Sequence, residues 1–195
     1  MARLDPAQLR AAARDLPQEG VRLGQLRALA PGGQLPSMVV MCTVPAALPG
    51  LQLGWVCVPV LLYLSCALWR GQLNPGLPPR LANYGLSRKS AAAMLRGVAW
   101  VVEKFGRHCK AAWPTVVRRT RRKPAAALVV TMALVILLPI PGSNLLPALS
   151  IVALMMGLVW RDGRAVLVSG ALSMLSFLMV GGFGWAAWAA VTGWL

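Results

Sequence analysis

Three stretches of the chain carry no charged side chain: Ala28 to Trp69, Pro124 to Trp160, and Ala165 to Leu195. They are 42, 37 and 31 residues long, whereas a helix needs only about 20 apolar residues to cross a hydrocarbon core. Such runs have no place in a soluble domain of this size. The chain is 57% hydrophobic and 13% charged, against roughly 45 to 50% and about 25% in ordinary soluble domains. The sequence therefore predicts an all-α integral membrane protein. Transmembrane strands are disfavoured because the runs are continuously apolar and rich in Leu, Ala, Val and Met, with no alternation.

Each of the first two runs contains a strong turn signal near its middle, Pro49-Gly50 and Pro141-Gly142. Each is thus expected to enter the membrane, turn and return. The charges lie between the runs and set the orientation: the net charge is +15. Five arginines precede the first run, thirteen Lys or Arg residues lie between Arg70 and Lys123, and Arg161 and Arg164 follow the second run. Basic residues flanking membrane segments stay on the cytoplasmic side, so the N-terminus, the central linker and the Arg161 loop are all expected there.

The first 30 residues are charged and amphipathic, unlike the apolar core of a cleavable signal. Asp5-Pro6 reads as a helix start, with the helix ending before Pro17, and a second short helix is expected over Val21 to Ala30, with Leu23, Leu26 and Leu29 on one side. In the linker, Ala91, Met94, Leu95, Val98, Val101, Val102 and Phe105 recur at helical spacing, and Lys89, Arg96, Glu103 and Lys110 form another face. This predicts an amphipathic surface helix lying on the headgroups. Arg118-Arg119-Thr120-Arg121-Arg122-Lys123 then abuts the membrane entry at Pro124. Such a cluster either anchors the chain by the positive-inside effect or holds anionic lipid head groups. Those residues already have a membrane role, and no nucleic-acid partner is expected.

The predicted organisation is one membrane domain over 1–195. It comprises interfacial helices in 1–33, a first hairpin unit in 34–71, a basic amphipathic cytoplasmic linker in 72–123, a second hairpin unit in 124–163 and a C-terminal segment in 164–195. The last segment is long enough to span once, or to fold back at Gly181-Gly182-Phe183-Gly184.

Catalytic chemistry has few candidates. Glu103 and Asp162 are the only acids beyond the first 30 residues, Cys42, Cys57 and Cys66 sit in apolar sequence, and Cys109 follows the single histidine, His108. No spacing suits a metal, so neither an enzyme nor a cofactor is expected.

An internal repeat is more informative. At an offset of about 92 residues Pro49-Gly50 overlies Pro141-Gly142, Gln52 overlies Asn144, and Trp69-Arg70-Gly71 matches Trp160-Arg161-Asp162-Gly163 after one-residue adjustments. Paired Pro/Gly-interrupted helices point to a transporter-like binding site near the bilayer midplane. From Pro36 to Pro49 only 14 residues are available, about 21 Å of helix, which favours a re-entrant hairpin. Gln52 and Asn144 are placed to satisfy the tips, to bind a ligand or to join helices. Arg70 and Arg161 are placed to pair with phosphate or to anchor beside Trp69 and Trp160. Asp162 has no counterpart in the first copy; it is either an exposed turn residue or surface ion-pair partner of Arg161 or Arg164, or a group that aims Arg161 or competes for it with an incoming anion.

The stretch Leu138-Pro139-Ile140-Pro141-Gly142-Ser143-Asn144-Leu145-Leu146-Pro147-Ala148, with Gly157 and Arg161-Asp162-Gly163, resembles the signature of the ExoD family of bacterial membrane proteins. Gly20-Val21-Arg22-Leu23-Gly24-Gln25-Leu26 and Leu77-Pro78-Pro79-Arg80 extend the likeness, while Gly76 departs from a tryptophan in the family pattern. The resemblance implies a role in exopolysaccharide synthesis at the bacterial inner membrane and names no reaction. Two functions fit: a small carrier for a lipid-linked or anionic envelope intermediate, or a non-transporting scaffold for polysaccharide-assembly proteins. Proton movement fits poorly, because the apolar runs contain no carboxylate or histidine.

Overall fold

A computed structural model describes residues 6–17, 21–22, 24–25, 35–46, 54–72, 79–106, 112–120, 122–138 and 144–193, and these are predominantly helical. Both Pro-Gly turns, Gln52, Leu23, Leu26 and Leu29 lie outside the described residues. Several helices open on proline, which lacks the N–H that a first turn cannot bond in any case. These are α1 (Pro6–Arg14), the short α4 (Pro79–Ala82) and α6 (Pro114–Thr120). The remaining helices are α2 (Leu35–Ala46), α3 (Gly54–Trp69), α5 (Arg88–Gly106), α7 (Lys123–Leu137), α8 (Leu145–Trp160) and α9 (Gly163–Thr192).

The apolar helices α2, α3, α7 and α8 form the centre. Helix α2 packs on α3 and α7 on α8, as hairpin neighbours do, but α2 also packs on α8 and α3 on α7. The interior is filled by residues such as Val39, Leu61, Leu64, Met132, Ile151 and Leu154. Two buried hydroxyls in these helices are satisfied within their own helix: Thr43 donates to Val39 O at 2.7 Å and Ser65 to Leu61 O at 2.8 Å. An apolar setting therefore tolerates them.

The amphipathic helix of the linker is present as α5, but its surroundings differ from the expectation. Ala91, Met94, Leu95, Val98, Val101 and Val102 are buried, and the helix packs against α1, α2 and α8. The stripe read as a headgroup-facing surface is thus covered by protein. Sequence periodicity identifies an apolar face without identifying what covers it. Helix α1 supplies part of the cover through Leu9 and Ala13, and Arg10 pairs with Glu103 across the joint.

The second N-terminal helix does not begin where predicted. Val21–Arg22 is a short strand, β1, antiparallel to β2 (Gly85–Leu86), with Val21 opposite Leu86. The Arg22 guanidinium reaches Asn83 at 3.5 Å, and a Cβ on Gly24 would lie 3.2 Å from Ala82 O. Residues from the Gly20–Leu26 motif therefore dock on the segment just after Leu77–Arg80. Strand pairing between two-residue pieces leaves no periodicity in the sequence to reveal it.

Helix α9 runs unbroken through Gly181-Gly182-Phe183-Gly184, so the chain does not fold back there. No neighbour within 4 Å would meet a Cβ on any of these three glycines, and isolated glycines lower helix stability without ending a helix. Among the described residues α9 is the one helix long and apolar enough to cross a membrane, and only 22% of its most apolar stretch is buried. Leu167, Met174, Leu178, Phe183, Trp185 and Trp188 are exposed along it.

Candidate functional site

The two Trp-Arg exits end their helices in the same backbone state. After Trp69, Gly71 takes a φ of 74°. Its N–H donates to Leu68 O at 3.0 Å and that of Gln72 to Ala67 O at 3.0 Å, a Schellman-type ending. After Trp160, Arg161 takes a φ of 55°, and the Asp162 N–H donates to Gly157 O at 2.8 Å. The second exit then turns directly into α9. The Asp162 carboxylate accepts from the Arg164 N–H at 2.9 Å and caps α9.

Asp162 is only 4% exposed, which corrects the expectation of an exposed turn residue. Arg161, by contrast, is exposed. The corner is tight: a Cβ on Gly157 would lie 2.8 Å from a Val166 methyl, and one on Gly163 would lie 2.8 Å from both Cβ and O of Trp113. This accounts physically for Gly157 and Asp162-Gly163 in the motif. Ala112 clamps the corner, its N–H donating to Arg161 O at 3.3 Å and its carbonyl accepting from the Gly163 N–H at 2.7 Å.

From Ala112 the chain runs through α6 to the first exit. The Lys123 ammonium lies 5.8 Å from the centre of the Trp69 ring, within cation-π range. A Cβ on Gly71 would lie 3.3 Å from the Arg122 guanidinium carbon. Ala112 and Trp113 before α6, and Arg122 and Lys123 after it, thereby touch the two exits and bring them to one end of the bundle. Two hollows lie near the first exit, and the Lys123–Trp69 contact links a lining residue of one to a lining residue of the other. A crevice of about 260 Å³ between α3 and α7 is lined by Ser65, Cys66, Trp69, Arg70, Ala126 and Val130. A cup of about 340 Å³ at the start of α7 is lined by Arg118, Arg119, Arg122, Lys123 and Pro124. Among the described residues no acid pairs with these cations.

The residues singled out in the sequence therefore divide. Arg70 borders the crevice, and Arg161 and Asp162 lie at the second exit of the same end. Asn144 is half-buried at the start of α8. It sits a 16-residue helix away from Arg161, about 24 Å. A small ligand cannot touch both. The crevice wall formed by Ser65, Cys66, Ala126 and Val130 was not anticipated; its only trace in the sequence was that Trp69 ends the first apolar run and Lys123 immediately precedes the second.

A second unanticipated cluster joins α8 to α9. The Ser150 hydroxyl lies 2.7 Å from Ser173 Oγ, 3.3 Å from Ser169 Oγ and 2.9 Å from Ser169 O, all buried. The spacing of Ser169, Ser173 and Ser176 along one side of an apolar run was its trace in the sequence.

No curated protein and no solved structure matches the chain. The family described as "Exopolysaccharide synthesis, ExoD" matches residues 6–182, from the first residue of α1 well into α9. The chain belongs to the ExoD family.

Proposed function

We propose that this protein is a multi-pass inner-membrane component of exopolysaccharide synthesis that handles a lipid-linked or anionic envelope intermediate without altering it chemically. Family membership ties the chain to exopolysaccharide synthesis. The observation that carries the finer reading is a basic cup at the start of α7 whose Lys123 lies over Trp69 in the wall of an apolar crevice. An amphiphile with a charged head needs those two surfaces side by side.

The packing of the hairpins supports a two-copy arrangement. Exchanging α2 with α7 and α3 with α8 turns the α2–α8 contact into the α7–α3 contact, so the pattern maps onto itself. Among the described residues, helices α2, α3, α7 and α8 extend over 12, 16, 15 and 16 residues, each below the roughly 20 of a full crossing. Short arms meeting within the bilayer are the setting in which re-entrant hairpins form a substrate path. Helix α9, apolar and mostly exposed, supplies the full crossing.

The second reading is a scaffold for polysaccharide-assembly proteins, favoured by the exposed apolar length of α9, on which a partner helix would lie. The two separate on deletion of the gene. A carrier predicts that lipid-linked intermediates accumulate on the cytoplasmic side while their synthesis continues. A scaffold predicts that their synthesis falls and the assembly enzymes lose their membrane location.

A further inference from the structure

We infer that the α3–α7 crevice and the cup at its mouth form one binding site for a single phosphate-headed lipid, with the phosphate in the cup and the start of its chain in the crevice. The inference rests on the reading above, that the protein lies in a membrane and handles a lipid-linked intermediate.

Charge identifies the head. Arg118, Arg119, Arg122 and Lys123 line one cup and have no acidic partner among the described residues. The cup also lies at the N-terminal end of α7, a 15-residue helix whose N-cap, Arg122, makes no side-chain capping bond. Its first amide dipoles therefore add to the field of the four cations. Arginines present a planar fork that suits phosphate oxygens, and three of the four are arginines.

The crevice identifies the tail. Its walls are the Ala126 and Val130 side chains on α7 and one turn of α3 from Ser65 to Trp69. The Ser65 hydroxyl is turned back onto Leu61 O and offers the crevice little polarity. Trp69 and Arg70 stand at the junction, Trp69 under the Lys123 ammonium. A cluster that merely anchored the chain would need neither a crevice nor an ordered junction. The geometry selects a ligand that is anionic at one end and hydrocarbon at the other.

The full-length protein in phosphatidylcholine nanodiscs, titrated with phosphatidic acid and read by native mass spectrometry, tests this. Retention of phosphatidic acid is expected to saturate at one molecule per chain. The double variant Arg119→Gln/Arg122→Gln should weaken it by at least about tenfold, as loss of two charged contacts would. Val130→Trp should weaken it comparably with every cation intact, and Val130→Leu, which leaves space in the crevice, should retain it. Helical circular dichroism equal to wild type qualifies each variant.

Equal retention of oleate, an anionic lipid without phosphate, or no effect of Val130→Trp, would reduce the cup to general charge anchoring and overturn the proposal. Displacement of the lipid by equimolar glycerol 3-phosphate would assign the cup to free phosphate and overturn it as well. Saturable binding without movement of lipid between leaflets leaves this site standing and removes the carrier reading. Movement without saturable binding does the reverse.

Discussion

The Lys123 ammonium sits 5.8 Å above the Trp69 ring, joining the last residue of α3 to the first of α7. Beside it, Gly71 holds a φ of 74° against the Arg122 side chain. Any L residue at position 71 is strained in that conformation. Gly71→Ala is therefore expected to lower stability by about 1 kcal/mol and to shift the Arg122 guanidinium. The stability loss is measurable by thermal unfolding in detergent, and the shift by reduced phosphatidic acid retention. A wild-type melting temperature would contradict the assigned backbone.

At the second exit the α8–α9 corner has no room for an added methyl group. Gly163→Ala would press on Trp113 Cβ and backbone O at 2.8 Å, and is expected to reduce folded protein in the membrane severely. Asp162→Asn keeps an N-cap acceptor and should accumulate normally, whereas Asp162→Ala loses the cap and about 1 kcal/mol. Immunoblotting of membranes with thermal unfolding of purified protein ranks the three. Accumulation of Gly163→Ala at wild-type level would sink the corner geometry.

The Ser150, Ser169 and Ser173 hydroxyls tie α9 to α8 where the rest of the joint is apolar. Removing Ser150 Oγ takes away the bonds that converge on it, and Ser150→Ala is expected to cost about 1 to 2 kcal/mol. Ser150→Leu should cost more, since a larger side chain must fit a fully buried site. Protease accessibility of the α8–α9 joint in detergent measures both, and the order Leu more sensitive than Ala more sensitive than wild type is the expected result.

Orientation is testable with single cysteines in a background lacking Cys42, Cys57, Cys66 and Cys109. Thr115 and Thr192 are exposed near opposite ends of the α9 unit. Thr115→Cys is expected to label only from the cytoplasmic side and Thr192→Cys only from the outside, as one crossing by α9 requires. Labelling of both from the same side would remove the crossing.

Much of the architecture was legible because hydrophobic periodicity and charge-free length are strong signals. The Pro6 start of α1, the apolar face of α5 and the Trp69 and Trp160 helix ends follow from such patterns. What covers a face is not encoded locally: the stripe from Ala91 to Val102 reads the same against lipid as against Leu9 and Ala13. The β1–β2 pairing was illegible because Val21–Arg22 and Gly85–Leu86 are too short to alternate. The burial of Asp162 was illegible because Asp-Gly is a common surface turn pair, and Ala112 and Trp113 pack on the corner only in the fold. The run from Arg118 to Lys123 was visible as charge. Its junction with Trp69 and Arg70 depends on α3 meeting α7, a contact between helices distant in sequence that no local pattern reports.

Transfer between leaflets tests the central claim most directly. The full-length protein is reconstituted into vesicles carrying a fluorescent phosphate-headed polyprenyl lipid, and a membrane-impermeant reductant quenches whatever lipid reaches the outer leaflet. The carrier account predicts that quenching proceeds from the outer-leaflet half to nearly all of the lipid with wild-type protein. It also predicts that quenching stops at the outer half with Arg119→Gln/Arg122→Gln. Quenching that stops at the outer half with correctly folded wild-type protein would contradict the carrier account and leave the scaffold reading.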